Sequence, residues 1–274
     1  MIIDFHTHIF PDKIAAATVK SLGERGGYPP NSDGTAAGLL ERIEEAGVDI
    51  AVNLPVLTKP TQFDTVAEFA RKINEKRDTP PYILSFAGIH PLDPDYEEHL
   101  AYLKSIGIKG IKLHPDYQAT PIDDERYAKI LICARELDLI TVTHTGVDSA
   151  FPTPYNCTPD RILRLLDRIG GYDRLVLAHL GSNGMYEESL ESLSGCGAYF
   201  DTAFVLPEVD AALFERFLTK HGEDKLLFAT DSPWRNIKHE LDKIRSFGLG
   251  KATEAKILGG NAMKLLGLTE EDTQ

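Results

Sequence analysis

The chain has 274 residues, of which 42% are hydrophobic and 26% are charged, a composition typical of globular proteins. Its 29 basic and 42 acidic residues give a net charge of −13 at pH 7. Non-specific nucleic-acid binding and docking to an anionic membrane both need a basic surface, so this charge disfavours both. No apolar run approaches the ~20 residues that a membrane-spanning helix needs. We therefore expect a small-molecule substrate, with no nucleic-acid partner and no membrane.

The N-terminus and the cysteines favour a cytoplasmic protein. The chain begins Met-Ile-Ile-Asp-Phe-His, with no basic n-region, so we expect no signal peptide. Cys133, Cys157 and Cys196 are odd in number and widely spaced, and they form no zinc-type pair. A reducing compartment fits this cysteine usage best.

Short apolar strands alternate with amphipathic helices from one end of the chain to the other. Strands are predicted at Ile2–His8, Ile50–Leu54, Ile83–His90, Gly110–His114, Ile140–His144, Leu175–His179, Tyr199–Thr202 and Leu226–Asp231. Helices are predicted at Thr35–Ala46, Gln62–Arg77, Tyr96–Ile106, Asp124–Leu137, Pro159–Ile169, Pro207–Lys220, Lys238–Ser246 and Thr253–Leu266. This α/β alternation predicts a parallel sheet, and eight strands are the number that closes a (β/α)8 TIM barrel. No linker or internal repeat interrupts residues 1–274, which predicts a single domain.

Three segments need separate comment. An open doubly wound sheet would need a glycine-rich phosphate loop after the first strand, and Asp4–Phe10 contains no glycine. The long segment Phe10–Ser32 is interpreted as a loop that acts as a lid. Gly259 and Gly260 lie inside the last predicted helix and indicate a weak or broken helix there.

Histidines and one aspartate stand where predicted strands end. They are His6, His8, His90, His114, His144, His179 and Asp231. In a barrel of parallel strands the carboxyl ends converge on one mouth, where barrel enzymes place their chemistry. Each histidine taken alone is more often a structural group than a ligand. The joint pattern predicts that these side chains form one site.

His6 and His8 are two residues apart on a strand and therefore point to the same side. Neutral imidazoles at this spacing can bind one divalent ion, such as zinc. His144 and His179 can add nitrogen ligands from other strands, and Asp231 can add an oxygen. Asp231 is also a candidate general base, because a carboxylate beside the ion can take a proton from bound water.

Several short motifs follow one another along the whole chain. They are Asp4-Phe-His-Thr-His8, Asp33-Gly-Thr followed by Glu45-Ala-Gly-Val-Asp49, Gly110-Ile-Lys-Leu-His-Pro115, Thr143-His-Thr-Gly146, Leu177-Ala-His-Leu-Gly181, Phe228-Ala-Thr-Asp-Ser-Pro-Trp234 and Ile257-Leu-Gly-Gly-Asn-Ala262. With these motifs the chain resembles the amidohydrolase superfamily, in particular the amidohydrolase-related branch that includes aminocarboxymuconate-semialdehyde decarboxylase-like proteins.

The resemblance implies a distorted (β/α)8 barrel that holds a divalent metal, commonly zinc. In its mononuclear form the ligands are His6, His8, His144 and Asp231, and His179 orients or deprotonates the metal-bound water. In its binuclear form a carboxylated lysine or a glutamate on the fourth strand bridges two ions, and His144 and His179 serve the second. No glutamate stands at that position here. We expect one ion rather than two, zinc first and manganese as the alternative.

Four further residues are candidates for substrate binding. Lys112 and His114 are two apart on the fourth strand and share a side. Lys112 is either a carboxylated bridge or an ammonium group that binds a substrate carboxylate, and His114 either binds substrate or serves as a ligand. Trp234 and Arg235 directly follow Asp231 and are candidate specificity residues, as are Tyr155 and Asn156 after the fifth strand. For His90, a place at the mouth and a packing role are both open.

The resemblance implies a hydrolase in which metal-activated water attacks an amide, lactone or ester-type bond of a small molecule. The alternative is a metal-dependent non-oxidative decarboxylase of an aromatic or unsaturated carboxylic acid, for which Lys112 and Arg235 would bind the carboxylate. A non-catalytic binding protein is a third reading, which the full set of histidines argues against. A homodimer is left open, and the motifs do not name the substrate.

Overall fold

The structure is a computed structural model that describes residues 1–77 and 79–269. The described residues form nine strands: β1 (Ile3–Thr7), β2 (Ile50–Asn53), β3 (Tyr82–Ser85), β4 (Ala87–Gly88), β5 (Gly110–Leu113), β6 (Ile140–Thr143), β7 (Leu175–Leu177), β8 (Tyr199–Asp201) and β9 (Leu226–Leu227). Every pair is parallel, in the orders β1-β2-β3 and β4-β5-β6-β7-β8-β9. The strands therefore follow one another in space as they do in sequence.

The helices of the described chain lie between these strands in sequence or follow the last of them. They are α1 (Asp12–Gly26), α2 (Ala36–Ala46), α3 (Phe63–Asn74), α4 (Tyr96–Ser105), α5 (Glu125–Glu136), α6 (Pro159–Ile169), α7 (Tyr186–Ser192), α8 (Ala211–Lys220), α9 (Ile237–Ser246), α10 (Lys251–Ala255) and α11 (Asn261–Leu266). None of them is both long enough and apolar enough to span a membrane.

Backbone hydrogen bonds join the two ends of this strand order. The N–H of Phe5 donates to the carbonyl of Phe228 at 3.0 Å, and the N–H of Asp231 donates to the carbonyl of His6 at 2.8 Å. The predicted third strand is interrupted at Phe86, which separates β3 from β4. The predicted (β/α)8 barrel is thus confirmed as a distorted barrel, irregular at its third strand.

Two apolar layers surround the strands. One lies inside the barrel and includes Phe5, Val52 and Val176, and the other fills the space between strands and helices. Every strand residue is buried, which explains why the strands are almost continuous apolar runs. Asp4 is a buried exception, whose carboxylate accepts hydrogen bonds from Thr230 N and Thr230 Oγ1. This contact holds the segment that carries Asp231 against β1.

The structure differs from the expectation after the first strand. The segment that we interpreted as a loop contains the 15-residue helix α1. Its buried residues Ala15, Val19 and Gly23 recur every four positions and form one stripe against the barrel. That periodicity was available in the sequence, but alanine and glycine make the apolar stripe weak.

Three other helices also differ from the prediction. α7 lies between the predicted strands Leu175–His179 and Tyr199–Thr202, where no helix was predicted. The helix expected at Pro207–Lys220 begins at Ala211, because Asp210 caps it by accepting from Leu213 N at 2.8 Å. The two glycines of the last helix lie in a π-helical turn, Lys256–Gly260, between α10 and α11. A Cβ at Gly259 would overlap the carbonyl group of Met1, so glycine is required where this turn crosses the start of the chain.

Candidate metal centre at the barrel mouth

The structure brings the predicted histidines and Asp231 together at the carboxyl ends of the strands. His6 lies in β1, and His8 follows it. His114 and His144 directly follow β5 and β6. His179 and Asp231 lie two and four residues beyond β7 and β9, and both have left-handed backbone, with φ of 60° and 68°. Such φ values are uncommon for residues other than glycine and concentrate at functional sites.

His6, His8 and Asp231, here called the first group, point three ligand atoms at one another. The Nε2 atoms of His6 and His8 are 3.2 Å apart. Asp231 Oδ1 lies 3.1 Å from His8 Nε2 and 3.8 Å from His6 Nε2. Ligands at about 2.0–2.1 Å from a tetrahedral zinc ion lie about 3.3 Å apart. The spacing of the first group therefore fits one such ion.

The outer nitrogens of these imidazoles are held by hydrogen bonds. His6 Nδ1 donates to Asp201 Oδ2 at 2.9 Å, and His8 Nδ1 donates to the carbonyl of Leu54 at 2.9 Å. His179 Nδ1 donates to the carbonyl of Ala203 at 2.8 Å. In a neutral imidazole with its proton on Nδ1, Nε2 carries a lone pair. These contacts assign the tautomer that metal-binding histidines use, with the lone pairs facing inward.

The protonation states also suit a cation. Burial, reinforced by the charge of Lys112, lowers the pKa of His6 well below its usual range, so this imidazole is neutral at pH 7. Burial opposes ionisation of Asp231, but its contacts with His6 and His8 outweigh burial and lower the pKa of the carboxyl. His6 thus presents a neutral nitrogen and Asp231 an ionised carboxylate, the forms in which these side chains bind metals.

Lys112 lies within this cluster and is only 1% exposed. Its Nζ is 2.9 Å from His6 Nε2, and burial lowers the pKa of its ammonium group to about 8. Lys112 therefore reaches the inward-facing nitrogen of a first-group histidine. Its two predicted roles, as a carboxylated bridge or as an ammonium group that meets the substrate, both remain predictions.

His114, His144 and Asp148, here called the second group, also place their ligand atoms within 4.8 Å of one another. The two imidazole rings stack with centroids 4.2 Å apart and 7° between their planes. His144 Nδ1 is 2.9 Å from His179 Nε2, which links this group to the neighbouring imidazole. The predicted ligand set is therefore gathered in two places, because His144 lies with His114 and not among the ligand atoms of the first group.

The predicted specificity residues lie in the loops that follow β6 and β9. Trp234 is half-buried, and its carbonyl accepts from Asn31 Nδ2 at 3.1 Å. The Arg235 guanidinium lies 4.0 Å from the centre of the Phe204 ring. Asn156 donates its backbone N–H to Asp116 Oδ1 at 3.0 Å and thereby fastens the loop that carries it.

His90 and Tyr155 complete the set of candidate residues. His90 Nδ1 accepts from Leu92 N at 3.1 Å, which favours the packing role for this histidine. Tyr155 is half-buried in the loop after β6.

Two functional residues were missed from the sequence. Asp201 is the last residue of β8 and the penultimate residue of the predicted strand Tyr199–Thr202, so an argument from strand ends comes within one residue of it. Asp148 lies in the loop four residues after His144, and no pattern in the sequence marks it.

A parallel barrel whose strand ends carry five clustered histidines and an aspartate belongs to a class of TIM-barrel enzymes with their chemistry at the carboxyl mouth. A family model for amidohydrolases matches residues 3–268. The chain therefore belongs to the amidohydrolase family and is an enzyme of the amidohydrolase superfamily. The resemblance read from the motifs is confirmed.

Solved structures with the same fold include three with informative descriptions. An uncharacterised TIM-barrel protein from Bordetella bronchiseptica is 18% identical with a TM-score of 0.75, covering 97% of this chain and 98% of that one. A dihydroxybenzoic acid decarboxylase from Polaromonas sp. JS666, with bound manganese and 2-nitroresorcinol, is 17% identical with a TM-score of 0.72, covering 99% and 98%. A probable 2-pyrone-4,6-dicarboxylic acid hydrolase from Acinetobacter baumannii, with citric acid bound, is 16% identical with a TM-score of 0.70, covering 97% and 99%. No curated protein matches the sequence.

Proposed function

We propose that this protein is a divalent-metal-dependent hydrolase that adds water across an amide, lactone or ester-type bond of a small molecule. The observation that carries this proposal is the first group: two imidazoles with Nε2 lone pairs turned inward and an ionised carboxylate, spaced as ligands of one ion. His6, His8 and Asp231 would hold the ion, which we propose to be zinc, with manganese as the second choice. A bound divalent ion acidifies water and polarises a carbonyl oxygen.

The side chains around this group supply the proton transfers. Asp231 is ionised at neutral pH and accepts the proton of the attacking water. His179 Nε2 is an acceptor turned toward the cluster, where it lies 2.9 Å from His144 Nδ1. We propose that it orients the attacking water when this contact opens, before the proton passes to the leaving group. Lys112 in β5 and His114 directly after it contact the substrate, as do Trp234 and Arg235 in the loop after β9.

A second candidate function is non-oxidative decarboxylation of an aromatic or unsaturated acid. The buried Lys112 favours it, because a cation 2.9 Å from His6 Nε2 is placed to bind a substrate carboxylate beside the first group. The structural neighbour from Polaromonas is named as a dihydroxybenzoic acid decarboxylase, and the neighbour from Acinetobacter as a probable hydrolase of a pyrone dicarboxylic acid. Both substrates are ring acids. In this case His179 would first take a proton from solvent on Nε2 and deliver it to the ring carbon, and the carbon–carboxylate bond would then break to release carbon dioxide.

The two functions are separated by the fate of the substrate. The metal-loaded enzyme is incubated in ¹⁸O-labelled water with a panel of ring lactones, amides, esters and hydroxylated aromatic acids. The masses of the products are then measured by mass spectrometry. Hydrolysis incorporates the label, whereas decarboxylation releases carbon dioxide and leaves the ring product unlabelled.

The site assignment is tested on whichever substrate is active. Asp231→Asn should lose at least about 100-fold in kcat while remaining folded, since it removes a proton acceptor. The control is His239→Gln, which changes an exposed histidine of α9. Wild-type turnover in both Asp231→Asn and His179→Gln would contradict the assignment.

A further inference from the structure

We propose that α1 and the turn that follows it form a flap across the barrel mouth, and that Arg25 and Ser149 are the latch that holds this flap closed. The lid role expected for Phe10–Ser32 is thereby assigned to a helix with a defined fastening. The flap controls access to the mouth whichever reaction the enzyme performs there.

The mouth is nearly closed to solvent. His114, His144 and Asp231 are each less than 10% exposed, although a substrate has to reach this cluster. A covering element must therefore move before a small molecule can enter. Local opening takes place where few apolar groups are buried, so the element that moves should be one that is weakly attached to the barrel.

Helix α1 is weakly attached in this sense. Its buried residues are Ala15, Val19 and Gly23, which have small side chains or none, so this 15-residue helix buries little apolar surface. The shorter helix α8, in contrast, buries the large rings of Phe214 and Phe217. Moving α1 away from the barrel therefore exposes less apolar surface than moving α8 would.

The segment that contains α1 crosses the mouth from one side to the other. It begins just after β1, and its returning arm is fixed where the N–H of Asn31 donates to the carbonyl of Pro233 in the loop after β9. At its tip, Ser149 Oγ donates to the carbonyl of Gly26 at 2.7 Å. Ser149 follows β6, which is the fifth strand of the barrel when β3 and β4 are counted as one. In a ring of eight strands the fifth lies opposite the first, so the base and the tip of the flap lie on opposite sides of the mouth.

Arg25 fastens the tip beside the histidine cluster. Its guanidinium carbon lies 4.5 Å from the centre of the Phe151 ring and 5.5 Å from the centre of the Tyr117 ring. The Tyr117 ring meets the His114 ring edge to face, with centroids 4.6 Å apart. A cation over aromatic rings is a favourable contact of modest strength. Arg25 and Ser149 are both exposed, so the latch can open without burying an unpaired charge.

Chemical modification of His114 measures how often the flap opens. The protein is treated with diethyl pyrocarbonate, which reacts with neutral imidazoles, and the reaction rate of each histidine is followed by peptide mass spectrometry. Arg25→Gln combined with Ser149→Ala should raise the rate at His114 about tenfold, since each lost contact favours the open state severalfold. Arg25→Lys keeps a cation and should stay closer to wild type. Lys20→Gln, which changes an exposed residue of the same helix, is the matched control and should react as wild type does.

An engineered disulfide tests whether flap opening is the route into the mouth. A Cβ at Gly26 would lie 3.7 Å from Ser149 Oγ, close enough for cysteines at these two positions to form a disulfide. In the Gly26→Cys, Ser149→Cys protein, oxidation should slow the reaction at His114 at least about tenfold relative to the reduced form, because the cross-link removes the open state. The exposed His239 should react equally in both forms, and wild type treated with the same oxidant is the control.

Three results would overturn the proposal. A wild-type rate at His114 in the Arg25→Gln, Ser149→Ala protein would show that these residues are not a latch. Equal rates at His114 in the oxidised and reduced cross-linked protein would show that small molecules reach the mouth by another path. A parallel increase at His221, a buried histidine in the connection between α8 and β9 at the amino end of the barrel, would show general destabilisation instead of flap opening. Because none of these measurements uses turnover, failure of the flap is distinguishable from failure of the proposed hydrolysis.

Discussion

Asp201 controls the orientation of a first-group ligand, and replacing it by asparagine tests the tautomer argument directly. Asp201 Oδ1 accepts the backbone N–H groups of His179 and Ala203 at 2.8 and 3.1 Å. In an Asp201→Asn variant the amide oxygen must keep that position, so the NH2 group faces His6 Nδ1. Two donors would then oppose each other, unless His6 moves its proton to Nε2. That change removes the lone pair through which His6 would bind metal.

The expected loss of metal affinity follows from the effect of comparable hydrogen bonds to metal-binding histidines in other proteins. Loss of an outer partner of a metal-binding histidine typically weakens metal affinity 10–100-fold, or about 1.4–2.7 kcal/mol. The assay is competition for Zn²⁺ with a chromophoric chelator, which gives the dissociation constant of the tightest site. The change leaves every proposed ligand in place, so the effect must come from the orientation of His6.

The control makes the same chemical change at Asp49, which directly precedes β2. Asp49 is half-buried, and its Oδ2 accepts the N–H of Ile2 at 2.7 Å, away from the ligand atoms. Asp49→Asn should bind Zn²⁺ as wild type does. A folded Asp201→Asn protein with wild-type affinity would refute the assigned tautomer, and an equal loss in Asp49→Asn would show that the effect is general destabilisation.

Two further predictions concern stability. Gly146 has φ of 84°, and a Cβ there would overlap the backbone of Asn183, whereas Gly170, with φ of 69°, has open space around it. We expect Gly146→Ala to lower the free energy of unfolding by at least about 2 kcal/mol more than Gly170→Ala, and equal losses in urea denaturation would contradict this. Burial lowers the pKa of His221 from 6.5 to about 4. Between these two pH values the unfolded chain therefore binds a proton at His221 that the folded chain does not bind. The contribution of His221 to the free energy of unfolding should be constant above pH 6.5 and fall by about 2–3 kcal/mol towards pH 4.5. In the same urea denaturation, His221→Gln should lack this decrease.

The sequence determined the features that depend on local periodicity. Strand and helix alternation fixed the barrel, and the two-residue period of a strand placed His6 and His8 on one side, as their Nε2 separation of 3.2 Å shows. The strand ends likewise located His114, His144, His179 and Asp231 at one mouth. These inferences succeed because parallel strands of a barrel share one polarity, so a residue's place along its strand sets its height in the fold.

Only the tertiary structure decided which of these side chains face one another. The partner of His6 Nδ1 is Asp201, 195 residues away in the chain, and no local pattern connects the two. The His144 ring stacks on the His114 ring, and Asp148 approaches them from a loop. The stagger of the strands and the path of the loop set the direction in which each of these side chains points. Periodicity determines how far along its strand a residue lies and which face of the sheet it occupies. Which side chains meet across the mouth depends on contacts that form only when all the strands of the barrel have assembled.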